Sequence, residues 1–137
     1  MFGLGNNRVK KTLQKAFSEC LAPLKDELGN VPVEMQTDAA INAHMLGICE
    51  GYAQANNISK QQSIAIIVDA VFEEVYRRES TLVLTKVDQW RADANSDFIP
   101  AYDEAKATTE KNTDNLDIDW FKEYATSHFE PADNLML

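Results

Sequence analysis

The run SKQQSIAIIVDAVFEEVYRRESTLVLTKVDQW, residues 59–90, is the longest and most apolar segment of the chain. In its first half, apolar residues recur every three or four positions, which places them on one face of a helix. These residues are Ile64, Ile67, Val68, Val71 and Val75. Ser59 and Gln62 have the spacing of a capping box, so we expect the helix to start at Ser59. The rest of the chain is expected to pack around this long central element.

The second half of the run, from Thr81 to Val87, places a β-branched residue at every second position and therefore resembles a strand. No other segment alternates convincingly, so a strand here would have nothing to pair with. We predict a helix instead, with Val83, Val87, Trp90 and Ala94 on one face.

A continuous helix from Ser59 to Trp90 would be roughly 48 Å long. A compact domain of this size has a diameter of only roughly 37 Å. Either the helix breaks near Glu79, Ser80 and Thr81, or its end projects and meets a partner. We favour the break, with a homodimer as the alternative.

The composition is that of one soluble globular domain. The chain has 137 residues, of which 45% are hydrophobic and 26% charged, and both values are ordinary for such proteins. No apolar run reaches the 18 or so residues of a membrane span, and the first residues lack the pattern of a secretory signal. Cys20 and Cys49 form no CxxC pair and fall within helical apolar patterns. We therefore expect buried free thiols and a cytoplasmic location.

Capping residues mark further helices around the central one. The first helix is expected to start near Asn6 or Asn7, the second at Thr37 with Asp38, and the fourth at Ser96 or Asp97. The connection between the second and third helices is very short, so these two should be antiparallel.

The sequence thus predicts an all-α fold, an irregular bundle of about five helices around a long central helix. Residues 1–137 form a single helical domain, with loose ends expected at about 1–6 and 131–137.

Charge is distributed unevenly along the chain. The net charge is −9, and from Val87 to the end there are 12 acidic but only 4 basic residues. The first 17 residues contain no acid and four cations, which are Arg8, Lys10, Lys11 and Lys15. An acidic chain argues against nucleic-acid binding, which requires an extended basic surface. Four cations are also few for stable membrane association.

The position of these cations suggests an interaction site. In a helix that starts near Asn6, three of them lie in the first turn, where the helix dipole disfavours each by about 0.3–1 kcal/mol. A local rule broken in this way is often broken for function. Arg8, Lys10, Lys11 and Lys15 are therefore candidate interaction residues, and docking on the chain's own acidic half is the alternative.

Gly47 and Gly51, four residues apart on the second helix, form a smooth patch. Glycine within a helix costs up to about 1 kcal/mol relative to alanine, so two of them suggest a packing reason. Another helix packed closely on the patch is the simplest explanation, and a small-molecule pocket is the other. His44, three residues before Gly47, belongs to the same candidate patch.

The motifs of catalytic and metal sites are missing from the sequence. There is no HExxH, ExxH, GxSxG, P-loop or GxGxxG pattern. Asp114, Asp117 and Asp119 lack the pattern of a calcium loop and are better explained as helix caps. Cys49 is five residues from His44, which is not the spacing of one helix face. We therefore expect no catalytic residue, no metal site, no cofactor and no enzyme activity.

These observations favour a small soluble protein of bacterial type that binds another macromolecule without catalysis. The partner is expected to be another protein or a second copy of this chain. Immunity and inhibitor proteins use an acidic face in this way, which is an analogy only. Two alternatives remain open: a small-molecule-binding helical domain, and an enzyme that uses His44 or His128 with a carboxylate.

Overall fold

The computed structural model describes residues 2–111 and 116–132, with side chains from Gly5 onward. Within these ranges the chain forms six α-helices and no strand. The helices are α1 Phe2–Leu21, α2 Ala39–Ala55, α3 Gln61–Tyr76, α4 Ser80–Ala92, α5 Phe98–Glu110 and α6 Asp119–His128. Short 3-10 turns occur at Ala22–Leu24, Val33–Thr37 and Arg77–Glu79. The expected all-α bundle is confirmed, and the segment from Thr81 to Val87 is helical.

α2 lies at the centre of the bundle. Every residue from 41 to 49 is buried, because α5, α3, α6 and α1 all pack against this helix. A buried charge is costly, and α2 carries only one charged residue, Glu50. The centre is thus α2 and not residues 59–90, whose helices α3 and α4 each keep a charged, exposed face.

α2 and α3 are antiparallel, as expected. The hydroxyl of Tyr76, at the end of α3, donates a hydrogen bond to Oδ1 of Asn42, near the start of α2, at 2.6 Å. The Asp38 carboxylate caps α2 by accepting from the Ile41 N–H at 2.8 Å, which confirms the expected helix start.

The run 59–90 breaks at Arg77. α3 ends at Tyr76, and Arg77 has φ 57° and ψ −121°, a conformation that normally requires glycine. The 3-10 turn Arg77–Glu79 then leads into α4. The favoured break is confirmed, two residues before the position expected. Each of the two helices is shorter than the diameter of the domain. A helix end that projects to meet a partner is therefore no longer needed to explain the length of residues 59–90.

α1 begins at Phe2, before the start expected at Asn6 or Asn7, so residues 2–6 are helical. A capping residue favours a helix start without enforcing one. A helix already anchored by buried residues further along gains a hydrogen bond with each residue added at its start. At the other end, the Ala132 N–H donates to the Leu24 carbonyl at 2.9 Å, which anchors this part of the expected loose end; residues 133–137 lie outside the described ranges.

α3 begins at Gln61 and not at Ser59, and no side chain caps it. The cause lies in the end of α2, where Asn57 adopts a positive φ of 65°. The N–H of Ile58 then donates to the Ala53 carbonyl at 2.9 Å, as in a Schellman motif. This arrangement directs the chain away from the path that a capping box at Ser59 requires.

Asp97, one of the two expected caps, occupies the N-cap position of α5, but its side chain makes no capping hydrogen bond. The Asn95 side chain accepts from the N–H groups of Asp97 and Phe98 at 2.9 and 3.0 Å. Asparagine is as good a cap as serine or aspartate, so residue type alone does not distinguish these neighbours.

The strain at Arg77 is testable by comparing Arg77→Gly with Arg77→Ala. Both variants lose the hydrogen bond from the Arg77 guanidinium to the Leu28 carbonyl, but only glycine adopts the observed φ and ψ at low cost. A strained residue of this kind costs about 1–3 kcal/mol. We expect urea denaturation to give Arg77→Gly a free energy of unfolding about 1 kcal/mol or more above that of Arg77→Ala. A glycine variant no more stable than the alanine variant would contradict the strain.

Candidate functional site

α1 presents a stripe of exposed cations, the basic stripe. Arg8, Lys11 and Lys15 are three and four residues apart and all exposed, on the side opposite the buried face of the helix. Lys15 lies 4.0 Å from Glu19, but both side chains are more than two-thirds exposed, so this pair contributes little. Lys10, the fourth candidate, is less exposed than these three: it is half-buried and lies beside α3.

The four cations do not lie at the start of α1, so the prediction that the helix dipole disfavours them is wrong. It required a helix start near Asn6, whereas α1 starts at Phe2. The first turn therefore contains none of the four cations, and the dipole effect falls off beyond that turn. The case for the stripe depends on its exposure, its spacing and its surroundings.

α1 lies beside α3 and runs in the same direction. The Gln14 side chain donates to the Ala70 carbonyl at 3.2 Å. One turn earlier, Lys10 lies across a shallow groove from Ser63, and the buried Ile67 lines the groove. Early residues of α1 thus meet early residues of α3, and later residues meet later ones. The groove has a volume of about 330 Å³.

The two rims of this groove carry opposite charges. We call the solvent-facing sides of the two helices its rims: the α1 rim bears the basic stripe, and the α3 rim bears Asp69 and Glu73, one turn apart and both exposed. Ile66, on the α3 rim, is 65% exposed although it is apolar. Among the described side chains, no ion pair joins the two rims. We call this surface the α1–α3 face; it consists of Arg8, Lys11, Lys15, Ile66, Asp69 and Glu73.

Gly47 and Gly51 lie against the backbone of α5. A Cβ atom at Gly47 would be 2.6 Å from the carbonyl oxygen of Tyr102, and one at Gly51 would be 2.8 Å from that of Lys106. α2 and α5 thus meet backbone to backbone here. α5 therefore fills the space that a small-molecule pocket at these glycines would need.

Glu50, beside the glycines, ties α4 and α5 to α2. Its carboxylate accepts a hydrogen bond from the Tyr102 hydroxyl and lies 3.4 Å from Arg91 and 3.9 Å from Lys106. Arg91 also donates to the Tyr102 oxygen at 2.7 Å. Burial and the adjacent carboxylate raise the pKa of Tyr102 above its usual range. Each polar group in this cluster has a partner, which favours a role in holding the helices together.

His44 is buried beneath α6. Its imidazole stacks on the indole of Trp120, with ring centroids 3.4 Å apart and 23° between the planes. The stack continues from Trp120 to Tyr124 at 5.3 Å and from Tyr124 to His128 at 3.9 Å. The two histidines thus lie at opposite ends of one aromatic stack. Within the described residues no ion pair joins either of them to a carboxylate.

A buried polar network at the start of α2 gave no signal in the sequence. The Asn42 amide donates to the Met35 carbonyl at 2.8 Å and accepts from the Tyr76 hydroxyl at 2.6 Å. Burial raises the pKa of Tyr76 above its usual range. Nearby, the Tyr124 hydroxyl donates to the Asp38 carboxylate at 3.2 Å. The two tyrosine contacts connect residues that are 34 and 86 positions apart in the chain.

A cleft of about 900 Å³ opens where the turn after α3 meets residues 28–34 and 128–132. Charges of both signs line it: Glu34, Arg77, Arg78, Glu79 and Glu130. The mixed charge favours no particular class of ligand.

Both cysteines are buried and free, which confirms the expectation. Burial raises the pKa of Cys20 to about 11, and that of Cys49 still further above the usual range.

In the described residues, no group of three or more His, Cys, Asp or Glu side chains is arranged to hold a metal. Of the aspartate cluster, Asp114 lies outside the described ranges, and Asp117 accepts from the Asp119 N–H at 3.0 Å, a capping contact. None of the helices described here combines the length and the apolar character needed to span a bilayer.

The contact between α2 and α5 predicts that a single methyl group at residue 47 is destabilising. Alanine is favoured over glycine in helices by about 1 kcal/mol, but the added Cβ must push the α5 backbone away, and overpacking costs about 1–3 kcal/mol. We expect Gly47→Ala to lower the free energy of unfolding by about 1–2 kcal/mol. Gly5→Ala is the matched control, because its Cβ would meet nothing within 4 Å. This variant should not lower the free energy of unfolding. Wild-type stability for Gly47→Ala would contradict the close contact.

The buried imidazole of His44 predicts a loss of stability in acid. Burial lowers the pKa of His44 from 6.5 to about 4, so the unfolded chain binds a proton that the folded chain rejects between these pH values. Stability is therefore complete above about pH 6.5 and falls as the pH drops toward 4, by at most about 3 kcal/mol. Denaturation at several pH values gives the free energy of unfolding of the wild type and of His44→Gln. The part of the difference between them that changes with pH is the contribution of the His44 imidazole. A difference that stays constant with pH would disprove the assignment.

A comparison of the chain with protein-family models, with curated proteins and with solved structures found no match.

Proposed function

We propose that this protein works by binding another macromolecule through its α1–α3 face, without catalysis. The observation that supports this most directly is the basic stripe, three exposed cations on successive turns of α1 in a chain of net charge −9. A local positive stripe on a negative protein attracts an acidic surface in one orientation, while the remainder of the protein repels it in others.

Protein carboxylates fit this stripe better than nucleic-acid phosphates. A nucleic acid presents a long, uniform negative charge, which the acidic remainder of the chain would repel. A protein surface can present a few carboxylates at the spacing of Arg8, Lys11 and Lys15 and little negative charge beyond them. A cytoplasmic location is part of this proposal and agrees with the two free, buried thiols.

The interaction is expected to be weak and dependent on salt. An exposed ion pair contributes about 0.2–1 kcal/mol, so three cations add only about 1–3 kcal/mol at low ionic strength. Burial of Ile66, which is exposed in the isolated chain, adds an apolar contribution that salt does not screen. Of the two alternatives, the small-molecule pocket has lost its proposed location, because α5 covers Gly47 and Gly51.

Zero-length cross-linking tests this function. A carbodiimide joins a lysine amine directly to a carboxylate that it contacts. In gently prepared extract from cells that express the protein, we expect Lys11 and Lys15 to link to carboxylates of another polypeptide, either a different protein or a second copy. The links should disappear at about 1 M salt, where the screening length is about 3 Å.

Two other lysines provide the internal control. Lys111 and Lys122 are exposed but lie outside the α1–α3 face, so they should form few links to other chains. Equal linking at Lys11, Lys15 and the two control lysines would refute a binding role for the stripe.

A further inference from the structure

We infer that the α1–α3 face binds the same face of a second copy of this chain. This inference rests on the proposed function and names its partner. The face carries both halves of a charge-complementary contact, with cations on the α1 rim and carboxylates on the α3 rim. Among the described side chains the two rims form no ion pair with each other. Apart from the weak, exposed contact of Lys15 with Glu19, their charges are therefore available to a second molecule.

The parallel course of α1 and α3 fixes how two copies fit together. A two-fold axis that runs along the groove places α1 of each copy on α3 of the other and keeps every residue at its own height along the helices. The Gln14 side chain reaches the Ala70 carbonyl, which puts Lys11 and Lys15 at about the level of positions 67 and 71. Asp69 and Glu73 lie two residues further along, a distance of about 3 Å, which a lysine side chain easily spans.

The spacing of the charges matches as well as their height. Lys11 and Lys15 are four residues apart, and so are Asp69 and Glu73. Both pairs therefore repeat at about 6 Å along parallel helices. One rotation brings two cations opposite two carboxylates, and the symmetry repeats the contact on the other side of the axis.

Charge also excludes the competing arrangement. A two-fold axis that crosses the groove at right angles places α1 on α1 and α3 on α3. Arg8, Lys11 and Lys15 then face their own copies, and Asp69 and Glu73 do the same. Like charges opposed in this way are unfavourable, so the pattern selects one of the two symmetric arrangements.

Ile66 gives the face an apolar contact near its middle. It is 65% exposed in the single chain, and at its height along the groove it would meet the aliphatic stems of the lysine side chains on the other copy. Lysine side chains commonly cover apolar surface while their amines remain in contact with water or carboxylates.

The size of the face indicates a weak dimer. Two helices of about 16 residues and 10 Å in width each offer a surface of roughly 24 by 20 Å. This area is below the roughly 800 Å² per partner that is typical of a stable interface. The net charge of −9 also opposes association at long range. Moderate salt, about 0.1 M, screens charges more than about 10 Å apart and leaves the close pairs largely intact.

A charge swap tests the dimer most sharply. Sedimentation velocity over a range of concentrations at about 0.1 M salt gives the dissociation constant of the wild type and four variants. Lys11→Glu with Lys15→Glu, and separately Asp69→Lys with Glu73→Lys, should each raise that constant by about tenfold or more, because each opposes like charges in place of four ion pairs. The quadruple variant carries both changes and should recover the wild-type constant to within about threefold.

The fourth variant, Lys111→Glu with Lys122→Glu, is the matched control. It adds the same negative charge as the reversal on α1 but leaves the face intact, so its dissociation constant should remain that of the wild type. A control as disruptive as the α1 reversal, or a quadruple variant that stays monomeric while folded, overturns the inference. So does a wild type that is monomeric at every concentration.

A second measurement needs no substitution. Unlabelled and nitrogen-15-labelled wild-type protein are mixed and treated with the carbodiimide, and mixed-isotope links between Lys15 and Glu73 or between Lys11 and Asp69 are expected. Their absence overturns the inference even if a variant fails to fold. In the cell extract, links from the same lysines to a different protein would leave the proposed function standing and reject only the second copy as partner. No link to any other chain, in the extract or in the mixture, would reject both.

Discussion

The contact between the glycines of α2 and the backbone of α5 determines where most of the other helices lie. With no side chain at Gly47 or Gly51, the two backbones approach to distances that a Cβ atom does not tolerate. This approach brings Tyr102 to Glu50, and Arg91 of α4 joins the same carboxylate. Three helices are thus fixed relative to one another at one point, by a missing methyl group and a half-buried charge. α3 and α6 then cover the remaining sides of α2, and α1 completes the packing around it.

The break at Arg77 is the second constraint. The central helix α2 has only 17 residues. An unbroken helix over residues 59–90 would therefore project beyond the bundle. The chain turns at Arg77 in a conformation that costs free energy for any residue but glycine. The contact of the Arg77 guanidinium with the Leu28 carbonyl offsets part of this cost. Packing of α3 and α4 on one core compensates the rest.

Patterns that depend on neighbouring residues were readable from the sequence, and contacts between distant residues were not. Helical periodicity identified the class of fold, and it correctly overrode the strand-like alternation around Val83 and Val87, both of which are buried on one face of α4. Capping residues identified helix starts less well, because Ser59 competes with a Schellman motif at Asn57 that depends on the buried Ile58. The hydrogen bond between Glu50 and Tyr102 spans 52 residues, and no local pattern indicates it. The basic stripe was found from the distribution of charge, although the dipole argument attached to it failed with the position of the α1 start. Its partner rim on α3 could not be found, because the alignment of Lys11 and Lys15 with Asp69 and Glu73 exists only once the two helices lie side by side.

The two buried thiols have a consequence for how the opening of this bundle is observed. A cysteine reacts as its thiolate, and burial holds both thiols in the protonated form. Modification therefore occurs only in molecules that have opened locally or globally. Cys20 lies near the end of α1, at the edge of the bundle, and is uncovered when that helix alone separates, whereas Cys49 lies in the middle of α2 with helices on several sides. The ratio of the two modification rates thus reports whether the bundle opens one helix at a time or as a whole, and the unaltered chain already carries both probes.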